Sequence, residues 1–130
     1  MTLDDITYKI NGCAMKVHNT LGNGFQEVIY QRCLAIELKI AGLRFKREKE
    51  QIIYYDGYKV GTRRADFIVE DEVIVELKAV INLVDAHLAQ AKNYVVAYDK
   101  DIGLLINFGA TSLQFKKVFN SKRNPVNCQH

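Results

Sequence analysis

Proline is nearly missing from this chain. A single one, Pro125, stands among 130 residues, and tryptophan is absent. With no proline before the polar C-terminal stretch SKRNPVNCQH (121–130), nothing breaks the helical and strand patterns upstream or marks an interdomain linker. Cysteine is scarce too. Cys13, Cys33 and Cys128 are odd in number and far apart, which fits neither a disulfide framework nor a zinc site and makes reduced thiols the expectation. Apolar runs fall far short of the ~20 residues of a membrane-spanning helix. The opening MTLDDITYKI lacks the basic-then-apolar order of a signal peptide, so a cytoplasmic protein with no membrane partner is expected. There is no internal repeat and no low-complexity run.

What is present, 48% hydrophobic and 25% charged residues, suits one compact domain over residues 1–120, followed by a flexible polar tail, 121–130. Net charge is only +3, too little by itself to mark a nucleic-acid-binding protein. The basic residues nevertheless gather in RFKREKE (44–50), in Arg63 and Arg64, and in Lys116, Lys117, Lys122 and Arg123. Such runs are ordinarily a solvated face, and only their position relative to an acidic site would give them more to do.

Thr2 and Asp5 have the spacing of a capping box, and Ile6, Ile10, Cys13, Ala14 and Val17 recur at helical spacing up to the break LGNG. A second helix is expected from Phe25 to Ala41, stopped by Gly42. At about 100° per residue, Glu27, Leu34 and Leu38 fall within roughly 20° of one direction, flanked by Tyr30 and Gln31. An inward carboxylate there needs a cation, a metal or hydrogen-bond donors, unless the helix's first turn is open to water, where an acid also suits the helix dipole. After Gly42 the pattern turns to β-branched and aromatic residues. QIIYY (51–55) and YKVGTRRADFIVE (58–70) are joined by Asp56-Gly57, a hairpin signal, and VIVELKAV (73–80) completes an expected antiparallel meander. A helix over 84–98 and strands at GLLINFG and LQFKKVF follow. The order is ααβββαββ, an α/β or α+β sheet flanked by helices.

Alternation along VIVELKAV puts Ile74, Glu76, Lys78 and Val80 on one face and only apolar residues on the other. Nine residues separate Asp66 from Glu76, which suits an antiparallel connection that brings the two carboxylates together. Paired carboxylates repel, so one is protonated or a cation lies between them, and hard oxygen donors suit Mg²⁺. The plainer alternative is a cross-strand salt bridge from Lys78 to Asp66 or Glu76 on a solvated face. On the next helix Gln90 and Tyr94, one turn apart, are expected to face inward toward Glu76 and Lys78, whereas His87 reads as a surface residue.

Gly24, Glu27 and Tyr30 (G-x-x-E-x-x-Y), Asp66, Glu76-x-Lys78 and Gln90-x-x-x-Tyr94 together resemble the small GxxExxY proteins of the PD-(D/E)xK nuclease superfamily, from the first helix to about residue 119. The resemblance implies a restriction-endonuclease-like core with a mixed central sheet of about five strands. It implies metal binding by Asp66 and Glu76, helped by the main-chain carbonyl of Leu77 and by Glu27, with Lys78 as the active-site lysine. Gln90 and Tyr94 match the Q-x-x-x-Y motif, which orients the site and approaches the nucleic acid backbone. Ala65 stands where the namesake pattern has proline, a position that makes no metal bond.

The expected function is hydrolysis of phosphodiester bonds in nucleic acid, DNA foremost, with Mg²⁺ as cofactor and Mn²⁺ able to substitute. Tyr30, Gln90 and Tyr94 are expected to support the site, and Arg63, Arg64 and RFKREK to contact phosphates, with Tyr54, Tyr55 and Tyr58 available for stacking. Two alternatives stand beside it: a catalytically silent nucleic-acid-binding or scaffold module, and a structure-specific endonuclease similar to Holliday junction resolvases, for which a homodimer would supply the symmetry.

Overall fold

The computed structural model describes residues 1–122. The expectations placed on Arg123, Cys128 and most of the tail fall on 123–130, outside the described residues. Helix α1 (Leu3–Leu21) begins as its sequence dictates: Thr2 Oγ1 accepts from the Asp5 N–H at 3.1 Å, and Asp5 Oδ2 accepts from the Thr2 N–H at 3.0 Å. The five apolar residues picked out by helical spacing are its buried stripe. Helix α2 (Glu27–Ile40) ends at Gly42, whose φ of 78° lets Gly42 N–H reach Lys39 O and Leu43 N–H reach Leu38 O, both at 3.0 Å, in a Schellman closure.

The strands are β1 (Phe45–Arg47), β2 (Glu50–Tyr55), β3 (Tyr58–Arg64), β4 (Phe67–Val69) and β5 (Val73–Lys78), followed after helix α3 (Asp85–Ala97) by β6 (Ile102–Asn107) and β7 (Gln114–Phe119). Five of them form a mixed sheet in the order β1-β4-β5-β6-β7, antiparallel except for the parallel pair β5–β6. This is the expected α+β architecture, with two departures. Strand β1 was hidden in the charged run RFKREKE. The expected strand over 58–70 is two strands, because at Ala65-Asp66 the chain leaves the β2–β3 hairpin and enters the main sheet. The meander is therefore only β4–β5, and β2–β3 is a separate hairpin turning at Asp56-Gly57 with positive φ at both residues.

Helices α1 and α2 cover one face of the sheet, with Leu34, Leu38, Phe67, Val75 and Leu77 at the centre of that core, and α3 covers the other through Ala91 and Val95. Each fully buried large side chain of this kind stabilises the fold by ~1.5–3 kcal/mol. The phase of α3 is set at Gly103 on β6, where a Cβ would stand 2.6 Å from Val95 Cγ2, so only glycine admits the helix this closely. At the carboxyl ends of β5 and β6, the buried Asn107 uses both amide groups: it donates to Val80 O and Gln114 Oε1 and accepts from the Val80 and Gly109 N–H groups. With Phe108 N–H on Lys78 O at 2.8 Å, these bonds fix the end of β5. No described helix is long and apolar enough to cross a membrane.

Candidate active site

Because β4 runs antiparallel to β5 with Phe67 opposite Val75, the residue just before β4 lies beside the end of β5. That residue is Asp66. Its Oδ2 accepts from the Leu77 N–H at 2.8 Å, and its own N–H donates to Glu76 Oε1 at 3.1 Å. In an antiparallel ladder a residue's N–H and C=O point to the same edge, so the Leu77 carbonyl shares the edge that faces Asp66. The break at Ala65-Asp66 is what creates this site, since a continuous strand would have claimed the Leu77 groups for the ladder.

Glu76 continues the α3-facing row of Ile74 and is 6% exposed. Burial first, and Asp66 second, push its carboxyl up to about 9, with Lys78 opposing. Asp66 is also raised, by burial, against the lowering effect of hydrogen bonds from Leu77 and from the Gln31 amide, which donates to Asp66 Oδ1 at 2.7 Å. Two acids crowded in this way favour either a shared proton or a cation. Lys78 Nζ donates to Gln90 Oε1 at 3.0 Å and pairs with neither carboxylate within 4 Å among the described residues. The alternative of a solvated cross-strand salt bridge fails on both counts: the acid is buried and the amine is held elsewhere.

Three expectations of burial are corrected. Glu27 is the first residue of α2 and is exposed, because the loop Gly22–Phe25 turns the helix start outward. Its carboxyl is nonetheless raised, first by surrounding protein, then by Asp66, with Lys78 lowering it. Surface exposure decides its state: water reaches it, and the useful fact is that Asp66 and Lys78 are its electrostatic neighbours. Gln90 is likewise exposed, since Ala91 and Val95 are the residues α3 buries. Tyr94 is half-buried, with the Arg63 guanidinium 5.3 Å over its ring.

Tyr30 does not reach the carboxylates. Fully buried and stacked on Phe108 at 4.7 Å, it donates to Gly22 O at 2.6 Å and accepts from the Phe25 N–H at 3.2 Å. It locks the loop that presents Glu27, in which Gly24 adopts φ 103°, a conformation that favours glycine. Arg64 is turned away from the site and paired with Glu50 at 3.1 Å. His87 Nδ1 accepts from the Val84 N–H at the start of α3. Gln31, placed by the sequence only beside the inward stripe, and Arg47, which lies in the run RFKREK and donates to Gln31 Oε1 at 3.0 Å, both belong to the site. A buried amide on an apolar helical stripe was the available signal.

As a donor set, two adjacent carboxylates and a strand-edge carbonyl are hard oxygens, and burial together with the charge of Asp66 pushes the Glu76 carboxyl up to about 9, a direction that a cation between them would oppose. The residues fit a divalent ion on these grounds. Among the described residues no three His, Cys, Asp or Glu side chains form a metal-holding group.

A family model described as PD-(D/E)XK nuclease superfamily matches residues 4–118. In fold, the chain is similar to the crystal structure of SSO0001, with a TM-score of 0.61 and 20% sequence identity over 72% of this chain and 50% of that one. The chain thus spans about half the length of that protein, and the likeness in fold together with the family match is consistent with a restriction-endonuclease-like fold. No curated protein matches the chain significantly.

Proposed function

This chain belongs to the PD-(D/E)XK nuclease superfamily, and we propose that it is a metal-dependent nuclease hydrolysing phosphodiester bonds in DNA, within the GxxExxY group defined by Gly24, Glu27 and Tyr30. The observation that carries the proposal is the pair Asp66–Glu76: a buried acid held against a second carboxylate through the Asp66 N–H at 3.1 Å, beside a lysine whose amine is hydrogen-bonded to Gln90. Asp66, Glu76 and the Leu77 carbonyl would hold Mg²⁺, or Mn²⁺ in its place. When bound, such an ion supplies Lewis acidity toward a phosphoryl oxygen and lowers the pKa of water.

The chain's own residues do the rest. Lys78, steadied by Gln90, orients the attacking water or meets the negative charge that develops at phosphorus. Phosphoryl transfer needs mainly positioning and charge neutralisation, which suits a site built from Asp66, Glu76 and Lys78 without a Ser-His or Cys-His pair. Glu27, an electrostatic neighbour of Asp66 and Lys78 at the start of α2, would add negative charge to the site. Arg63, on its tyrosine platform, supplies a cation on the α3 side for the nucleic acid backbone. A non-cleaving nucleic-acid-binding module is the second reading, favoured by the lack, among the described residues, of a metal-holding group of three acidic side chains.

Titrating Mn²⁺ while recording thermal unfolding tests the metal. The melting temperature should rise with the ion, because a ligand bound only by the folded state stabilises it, and Asp66→Asn should abolish the rise. A melting temperature indifferent to Mn²⁺ would remove the metal from the site.

A further inference from the structure

Gln31 lies on the inward side of α2 and is 6% exposed. A buried primary amide must satisfy donors and acceptor alike. Here it does so by joining a guanidinium to the carboxylate of the site: Nε2 donates to Asp66 Oδ1 at 2.7 Å, while Oε1 accepts from Arg47 Nη2 at 3.0 Å. The backbone fixes Arg47 as well. It pairs with Phe67 across β1–β4, and the next N–H, of Glu48, donates to the carbonyl of Asp66 at 3.1 Å. Opposite residues in a ladder share a face, so Arg47 stands with Phe67 on the side covered by α1 and α2, next to Gln31.

Of the other arginines of the neighbouring strands, two are paired with acids and the third keeps its charge over an aromatic ring on the α3 side. Arg44 pairs with Glu70 and Arg64 with Glu50, each at 3.1 Å, and Arg63 lies over Tyr94. Arg47 alone of these four is anchored by a neutral amide, and it is exposed. A guanidinium presents five N–H donors in a planar fork, of which Gln31 engages one hydrogen-bonding atom. Had Arg47 met Asp66 directly, each charge would have cancelled the other. The amide between them keeps the fork near the carboxylate with its charge unspent.

We propose that Arg47, held by Gln31, is the phosphate-binding arm that seats a nucleic acid strand against the Asp66–Glu76 site. It grips a backbone phosphodiester beside the one cleaved, through bidentate charge-assisted hydrogen bonds, and Gln31 sets the spacing between that phosphate and Asp66. Such contacts position the strand and carry no base specificity. The inference rests on the nuclease reading above.

The test uses the full chain and a labelled DNA duplex. Binding is followed by fluorescence anisotropy over a salt series, and kcat and KM by cleavage in Mg²⁺, for wild type, R47A, R47K and Q31L. Loss of one phosphate contact should lower the slope of log affinity against log salt by about 0.9 in R47A. KM should rise about tenfold or more. R47K should keep the salt slope while losing affinity, because the charge survives without the fork. Q31L should keep the slope but lower kcat, and in the Q31L background R47A should raise KM less than it does alone. Arg47 is exposed, so R47A is expected to fold, and its melting temperature checks this. R47A with wild-type slope and KM would overturn the proposal while leaving the nuclease reading intact. A wild type that neither binds nor cleaves would overturn both.

Discussion

Replacing Glu76 with glutamine should flatten the pH dependence of this protein's stability. The carboxyl has an ordinary value of 4.5, and the folded protein pushes it up to about 9, through burial first and the charge of Asp66 second. Between those values the folded protein keeps a proton that the unfolded chain releases. Stability contributed by this group is therefore full below 4.5, falls as pH rises, and levels off above about 9. The slope is about 1.4 kcal/mol per pH unit, so raising pH from about 5 to about 8 should remove roughly 4 kcal/mol through this group alone. Asp66 is shifted in the same direction and adds to the fall. Glutamine keeps the shape of the side chain and an acceptor for the Asp66 N–H, but takes up no proton. Urea unfolding in EDTA at several pH values reads the difference. Wild type should lose several kcal/mol more than Glu76→Gln across that range, and Mg²⁺ or Mn²⁺ should restore wild type at the alkaline end and leave the variant unmoved. Parallel stability curves for the two proteins would refute the picture of a strained acid waiting for positive charge.

Lys78→Met keeps the aliphatic stem and removes the amine that Gln90 holds, so metal binding should survive while kcat falls by orders of magnitude; unchanged single-turnover rates would take Lys78 out of the chemistry. Glu27 is exposed at the first turn, so Glu27→Gln should alter unfolding free energy by only a few tenths of a kcal/mol through the helix dipole, yet lower metal-dependent cleavage. Full cleavage by that variant would reduce the G-x-x-E-x-x-Y segment to a packing motif. Tyr30→Phe keeps the ring on Phe108 and deletes the hydroxyl that ties Gly22 to Phe25, which should cost about 1–2 kcal/mol in urea unfolding; an unaltered midpoint would show that the loop needs no such lock.

The elements with strong local codes were legible in the sequence. The capping box of Thr2 and Asp5, the stop at Gly42, the Asp56-Gly57 turn and the alternation that puts Glu76 and Lys78 on one face all hold in the fold. Where local pattern gave no signal, the sequence was misleading. Strand β1 is three residues long and two of them are charged, so its pairing with β4 depends on partners 20 to 24 residues away. Nothing in the composition of residues 58–70 marks the break at Asp66, where a contact from 33 residues on meets the chain: the Tyr98 hydroxyl accepts from the Ala65 N–H at 3.1 Å. Helical spacing placed Gln31 near the inward stripe but could not reveal Asp66, 35 residues on, as its partner. Glu27 and Gln90 illustrate the opposite limit. Helical angle pointed both inward, for Glu27 beside the alternative of an open first turn, yet Glu27 lies at the exposed start of α2 and Gln90 lies off the Ala91–Val95 face that α3 buries.

The central claim, a metal-dependent nuclease built on Asp66 and Glu76, is tested most directly by cleavage. Purified wild type and Asp66→Asn would be incubated with labelled linear, circular, single-stranded and branched DNA, and with RNA, in Mg²⁺, Mn²⁺ or EDTA. Wild type should cut at least one DNA form with a divalent ion and none in EDTA, while a folded Asp66→Asn should be slower by orders of magnitude on the same substrate. Cleavage by Asp66→Asn at the wild-type rate, or a wild type inert toward every substrate with either ion, would contradict it.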